Sequence, residues 1–162
     1  MIDKTELYID GAWVKSIDGK VIPVINPATE EGYASITLAG KADTETAIAV
    51  AKRTFPTWSM TSPEERLEYL KKILAVYQAR ELEMAQVISE EMGAPIDLAI
   101  SEQASSGSSH LKAFIRTLAA FEWVRPLRPG TAGQDLTYEP AGVAALITPW
   151  NWPMNQVALK VG

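Results

Sequence analysis

The residues Val143-Ala144-Ala145-Leu146-Ile147-Thr148-Pro149-Trp150-Asn151-Trp152-Pro153-Met154-Asn155 decide how this chain is read. Val143 to Ile147 is a continuous apolar run, the pattern of a strand buried on both faces. Thr148 to Trp152 interrupts it, and Pro153 suits the first position of a following helix. A buried strand that turns directly into a helix is the opening unit of an α/β sheet, and ligands of such sheets bind beyond the carboxyl ends of the strands. Two prolines and two tryptophans stiffen the turn, and a stiff turn can hold one polar side chain at a fixed angle. Asn151 is that side chain. Its carboxamide can donate two hydrogen bonds without a change of charge, which suits an oxyanion. Asparagine is also a common helix N-cap, and spacing alone favours that reading.

Working back from this segment, Pro126, Pro129, Gly130 and Gly133 mark an irregular link, and Asp135 to Glu139 alternates like a half-exposed strand. Before it, residues 96 to about 124 read as one long helix. Its first half is small and polar, Ser105 to Ser109, and Gly107 there costs about 1 kcal/mol against alanine. Close packing against another element would account for it. Leu111, Phe114, Ile115, Leu118 and Phe121 form the apolar face of the second half. A helix over about 80–92 buries Leu82, Ala85, Ile88 and Met92 and stops at Gly93, with Pro95 restarting the chain. Ser62 is the clearest helix start: an N-cap, Pro63 at the first helical position, and Glu65 to complete a capping box. Leu67, Leu70, Ile73, Leu74 and Tyr77 make one stripe behind it. Asp43 can cap an earlier helix whose apolar positions are Ala47, Ile48, Ala51 and Phe55, and Pro56 and Trp58 close it. At the start of the chain, two β-favouring runs flank Asp10-Gly11, a hairpin turn in which both positions need φ > 0. Val21 to Ile25 stops at the turn pair Asn26-Pro27, and Tyr33 to Leu38 is a third strand. These read as small antiparallel elements. The layout is therefore a hairpin region, a set of helices, a linking arm, and the first strand of an unfinished sheet, because a buried parallel strand needs neighbours on both sides.

Composition limits the function classes. The 162 residues are 47% hydrophobic and 22% charged, an ordinary globular balance. The net charge of −5, with no basic cluster, speaks against a nucleic-acid partner. No apolar run approaches the length of a membrane span, and Met1-Ile2-Asp3-Lys4 does not open a signal peptide, so a cytoplasmic location is expected. The absence of cysteine removes disulfides, thiolate metal sites and any cysteine nucleophile from these residues. No metal-ligand spacing appears, and no glycine-rich phosphate loop. His110, the one histidine, lies in a helix without a carboxylate or cysteine cluster and reads as structural or exposed. Glu64-Glu65 and Glu90-Glu91 read as solvated helix faces or cap elements.

The segment 147–155 resembles the P-W-N motif of the aldehyde dehydrogenase superfamily. Glu139-Pro140-Ala141-Gly142-Val143 is similar to that family's E-P-x-G-V stretch. Lys160 stands where the family keeps a lysine. Asn26-Pro27-Ala28-Thr29 resembles its N-P-A-T turn, and Met92-Gly93-Ala94-Pro95 its G-K-P turn, with alanine in place of lysine. The matches run in order across nearly the whole chain.

The resemblance implies an α/β fold: the N-terminal part of the cofactor domain over 1–121, an oligomerisation arm over 122–140, and the first strand and helix of the cofactor-binding core over 141–162. It implies oxidation of an aldehyde to a carboxylic acid with NAD or NADP. In that family a cysteine thiolate adds to the aldehyde, hydride passes to the nicotinamide, and a glutamate activates the water that cleaves the thioester. By resemblance Asn151 is the side-chain donor of the oxyanion hole. Ile147, Thr148, Pro149 and Trp150 line the cofactor cleft, and Trp152 and Gln156 face the aldehyde. Lys160 is either an active-site neighbour or a solvated lysine on a helix. The partners implied are a small-molecule aldehyde and further copies of the chain, as a dimer or tetramer. The family's cysteine, its glutamate motif, its cofactor loop and its ribose-binding lysine are all missing from these residues. The expectation is a truncated, inactive portion of a longer enzyme. The rival is a non-catalytic α+β module that works by association.

Overall fold

The structure is a computed structural model that describes residues 2–130 and 133–162. Met1, Thr131 and Ala132, which belong to the expected N-terminal region and arm, lie outside the described residues.

The expected hairpin forms from β2 (Glu6–Ile9) and β3 (Ala12–Lys15), with Ile9 opposite Ala12. Asp10 and Gly11 take φ values of 56° and 79°, the left-handed pair this turn requires. Tyr8 and Trp13 meet edge to face across the strands at 5.2 Å. Beside the hairpin lies a sheet of order β1-β5-β4, built from β1 (Ile2–Lys4), β4 (Lys20–Asn26) and β5 (Glu31–Leu38). β4 and β5 are antiparallel, as read, but β1 runs parallel to β5, so the region is not wholly antiparallel. Pro23 is tolerated because β4 is an edge strand. The turn after it is fixed by Asn26, whose Oδ1 accepts from the Ala28 N–H at 2.9 Å.

Helix α1 (Lys41–Trp58) starts earlier than read: its N-cap is Gly40, and Asp43 sits in the first turn. Asp43 still serves the helix start, but by reaching back. Its carboxylate is 2% exposed and accepts from the Gly40 N–H, from the Ile17 N–H at 2.8 Å and from the Ser16 hydroxyl. Those bonds tie α1 to the loop after the hairpin and hold the Asp43 carboxyl below its usual range, the Ile17 amide contributing most. The helix closes at Trp58 as read, with Pro56 inside its last turn. In α2 (Pro63–Ala79) the Ser62 hydroxyl accepts from the Glu65 N–H at 3.1 Å, and Pro63 occupies the first position as read. Helix α3 (Glu81–Met92) ends at Gly93 in the left-handed region, φ 78°. A Cβ there would also come within 2.6 Å of the Pro27 ring.

The long helix expected over 96–124 is interrupted and shorter. It comprises α4 (Ile96–Leu98), a π-helical stretch (Ala99–Ala104) and α5 (Ser105–Ala119). Beyond Ala119 the chain turns to bring Phe121 against Trp123 and Tyr138, with ring centroids 4.8 and 5.1 Å apart. The small-residue reading is explained: the Gly107 Cα faces the Tyr77 ring, and a Cβ there would meet it at 2.7 Å. The Tyr77 hydroxyl donates to the Ala104 carbonyl at 2.7 Å.

Two apolar clusters hold the helices together. Ala85, Ile88, Ala94, Ala99 and Ala104 form one, with Met154 packed against it. Leu70, Leu111 and Ala158 form the other, flanked by Tyr77, Phe114 and Leu118. Through Met154 and Ala158, the final helix α6 (Pro153–Val161) closes both. The linking arm carries a short hairpin, β6 (Val124–Pro126) with β7 (Asp135–Thr137). The Arg66 guanidinium lies over Trp123 at 5.2 Å and fastens the base of that hairpin to α2.

One expectation fails outright. Val143 to Ile147 is not a buried strand: no described strand pairs with it, and Ile147 is 83% exposed. The apolar pattern is present without the flanking strands and helices that would bury it.

Candidate active site

The site residues fall into two parts with different surroundings. Ile147, Thr148, Pro149, Trp150 and Asn151 lie together on an exposed, irregular stretch, with Trp150 78% exposed. Trp152, Gln156 and Lys160 belong to α6 or its cap and are half-buried. Gln156 donates its backbone N–H to the Trp152 carbonyl at 3.0 Å, the first intrahelical bond. The Lys160 ammonium donates to Gln156 Oε1 at 2.9 Å, so this lysine is tethered along the helix face instead of standing free in solvent.

Asn151 is not the helix cap that spacing favours. Trp152 holds that position with non-helical backbone angles, φ −144° and ψ 70°, and supplies no capping bond. Asn151 stands one residue outside, exposed, and its carboxamide bonds to nothing among the described residues. Proline at the first helical position has no N–H to satisfy, which lets α6 start there without a cap. A free carboxamide beside a helix start, next to apolar surface, can donate to a ligand oxygen.

One interaction at the site escaped sequence reading. His110 on α5 is half-buried, and its Nε2 lies 2.5 Å from Asn155 Oδ1 on α6. The signal was weak: Asn155 is a polar residue in the first turn of a helix that sequence places without a neighbour. Its partner on α5 comes from a distant part of the sequence and cannot be found by spacing. Two concavities among the described residues lie elsewhere. One, of about 700 Å³, sits among the N-terminal strands near Trp13 and Ser16, and the other, of about 590 Å³, lies between α2 and α3 near Val76 and Met84. No residue of 147–160 lines either. Glu64 and Glu65 are exposed, and the Glu64 carboxyl is held below its usual range by its own backbone N–H and by Ser62. Among the described residues no cluster of metal-ligating side chains is found, and no helix is long and apolar enough to cross a membrane.

The profile of the aldehyde dehydrogenase family matches residues 13–162. The chain is similar to a 3-succinoylsemialdehyde-pyridine dehydrogenase from a Pseudomonas species, 41% identical over 99% of this chain and 33% of that protein. Its fold superimposes on an aldehyde dehydrogenase from Bartonella henselae with a TM-score of 0.95 and 46% identity, covering 98% of this chain and 33% of the other. It also matches aldehyde dehydrogenase C from Pseudomonas syringae, a cysteine-to-alanine variant in complex with NAD+ and octanal, with a TM-score of 0.89 and 38% identity over 95% of this chain and 31% of that one. The chain thus spans about a third of the length of these relatives. The mixed helix-and-strand architecture is the part of the aldehyde dehydrogenase fold that those matches cover. This chain belongs to the aldehyde dehydrogenase family.

Proposed function

We propose that these residues form part of an NAD- or NADP-dependent enzyme that oxidises an aldehyde to a carboxylic acid, and that Asn151 is an oxyanion donor in it. The observation that carries the reading is Asn151 itself: exposed, without a partner among the described residues, and released from the helix cap by Trp152 and Pro153. Its carboxamide N–H donates to the aldehyde oxygen, which gains negative charge only as a thiolate adds to the carbonyl carbon. A donor placed for that moment favours the transition state over the ground state. The thiolate is supplied by residues outside this cysteine-free chain.

The cofactor fits in part. Ile147, Pro149 and Trp150 offer exposed apolar faces flanked by the Thr148 hydroxyl, a surface suited to a flat ring and its ribose. These four residues hold one side of the cofactor, which supplies the hydride acceptor when bound. Trp152 and Gln156 border the aldehyde, with Lys160 behind Gln156. The relative that holds NAD+ and octanal supports both ligand classes. The arm over 122–140 is proposed to pair with a second copy of the enzyme, and a cytoplasmic setting remains part of the proposal.

Asn151→Ala in the complete enzyme tests the reading. Single-turnover hydride transfer should fall by roughly 10²–10³, the usual loss for one oxyanion donor. Cofactor affinity should change far less. Near-normal hydride transfer with a lowered melting temperature would make Asn151 a structural residue. By the same proposal the 162 residues alone should not oxidise aldehydes and should bind NAD+ weakly or not at all by calorimetry. Turnover by a purified, contaminant-free sample would overturn it. The absence of cysteine favours a second reading, a non-catalytic association module. A purified chain of these residues that forms a defined complex with a full-length copy would support that one.

A further inference from the structure

The first turn of α6 is held on its apolar side by Met154, packed against the Ala85–Ala104 cluster, but has few polar devices. Its cap residue, Trp152, contributes no side-chain bond, and Pro153 has no N–H. Helix ends without caps are the parts of a fold that open most readily. Along α6, the contacts with α5 grade from polar to apolar. Ala158 packs with Leu111 at mid-helix, and the Phe114 ring lies under the helix end, where a Cβ on Gly162 would touch it. At the N-terminal end the cross-helix contact is His110 Nε2 with Asn155 Oδ1, half-buried. Oδ1 is an acceptor, so Nε2 carries the proton.

We propose that His110 is a positioning residue for Asn151. Asn155 is in the first turn of α6, four residues after Asn151. By holding Asn155, His110 fixes the rotation of that turn and therefore the direction from which the chain enters it. Asn151, one residue outside the cap, has no side-chain bond among the described residues to fix it. A donor that must meet a developing oxyanion within a few tenths of an ångström needs such support from neighbouring groups. The proposal rests on the reading of Asn151 as the oxyanion donor. It adds that the donor's aim is set from α5, through one imidazole.

The test is a double-mutant cycle in the complete enzyme, with single-turnover hydride transfer at saturating aldehyde as the readout. His110→Ala should slow hydride transfer about tenfold, the scale of one lost hydrogen bond, with KM little changed. Asn155→Ala should match it, and His110→Gln, which keeps a donor, should restore most of the rate. In an Asn151→Ala background, His110→Ala should have no further effect, because it acts only through Asn151. An equal further loss in that background would overturn the proposal. So would an altered preference between octanal and a hydroxylated aldehyde with hydride transfer unchanged, which would make His110 a specificity residue. Hydrogen exchange in the 162-residue chain supplies a readout without activity. The Gln156 amide, which bonds the Trp152 carbonyl, should exchange about tenfold faster in His110→Ala, and unchanged exchange would again overturn it. Normal hydride transfer by Asn151→Ala alone would instead remove the functional reading, while the exchange experiment would still report on the His110–Asn155 bond.

Discussion

Two apolar stretches of this molecule look alike as sequence and behave differently as structure. Leu111 to Leu118 carries its apolar residues at helical spacing and packs them: Leu111 is 3% exposed and shares a cluster with Leu70 and Ala158, while Phe114, Ile115 and Leu118 lie half-buried against it. Val143 to Ile147 is more continuously apolar, yet it stays exposed and unpaired. The difference lies in partners. A helix satisfies its own backbone and needs only one covered face, whereas a strand of a buried sheet needs hydrogen-bonding neighbours and cover on both faces. The first requirement is met within these residues and the second is not. Apolarity alone therefore does not locate the core.

Substitutions measure that contrast. The largest effect belongs to Leu111→Ala, which should destabilise the chain by about 2–5 kcal/mol, read as a lower urea midpoint. A cost below about 1 kcal/mol would mean that the helical layer packs loosely and that the contrast with 143–147 is weaker than drawn here.

Gly107→Ala comes next and sets two effects against each other. Alanine is worth about 1 kcal/mol more than glycine inside a helix. Its methyl would lie 2.7 Å from the Tyr77 ring, whose hydroxyl is committed to the Ala104 carbonyl, so the ring cannot withdraw without breaking that bond. Overpacking costs about 1–3 kcal/mol, and the expected net is a loss. A gain in stability would show that α2 and α5 can move apart.

The helical layer was largely legible from sequence, because its signals are local. Ser62 with Pro63 and Gly93 mark ends by short-range chemistry, and the structure uses them as read. Errors arose where a distant group decided. Asp43 looked like a cap, but its carboxylate serves Ile17 and Ser16 as well as Gly40. The helix through 124 ended at Ala119 because Phe121 finds Trp123 and Tyr138. At the site, the motif 147–155 was legible as a motif. The exclusion of Asn151 from the cap and the His110–Asn155 contact depend on how α6 starts and on where α5 lies.

Titration separates the layers further. Burial, aided by the charge of Glu81, pushes the Tyr77 hydroxyl from 10.0 up to about 12. A raised folded-state value means that its contribution is complete below pH 10 and lost as pH rises through about 12. Tyr77→Phe should flatten that alkaline limb in urea midpoints measured against pH. Asp43 has the opposite sign. Its folded-state value lies below 3.8, so its contribution is present above 3.8 and lost as pH falls through the depressed value. Asp43→Asn should flatten the acid limb. Unchanged limbs in both variants would show that neither bond network contributes to folding.

The smallest effect is the most informative about the motif segment. Ile147→Val removes one methylene. At 83% exposure that methylene touches almost nothing, so the 162-residue chain should change by no more than about 0.5 kcal/mol. In a longer enzyme whose further strands flank this stretch, the same methylene would be enclosed, and Ile→Val inside a core costs about 0.5–1.5 kcal/mol. The comparison requires only urea midpoints for two variants in two contexts. A cost that appears in the longer chain alone would mean that Val143 to Ile147 is a core strand awaiting neighbours, and that the cofactor cleft is assembled around it. Equal, negligible costs in both would leave it a surface segment and would remove the physical basis for placing Ile147 and Trp150 in a cleft. A cost of about 1 kcal/mol already in the 162-residue chain would break the comparison from the other side, because it would mean that the stretch finds cover among these residues themselves.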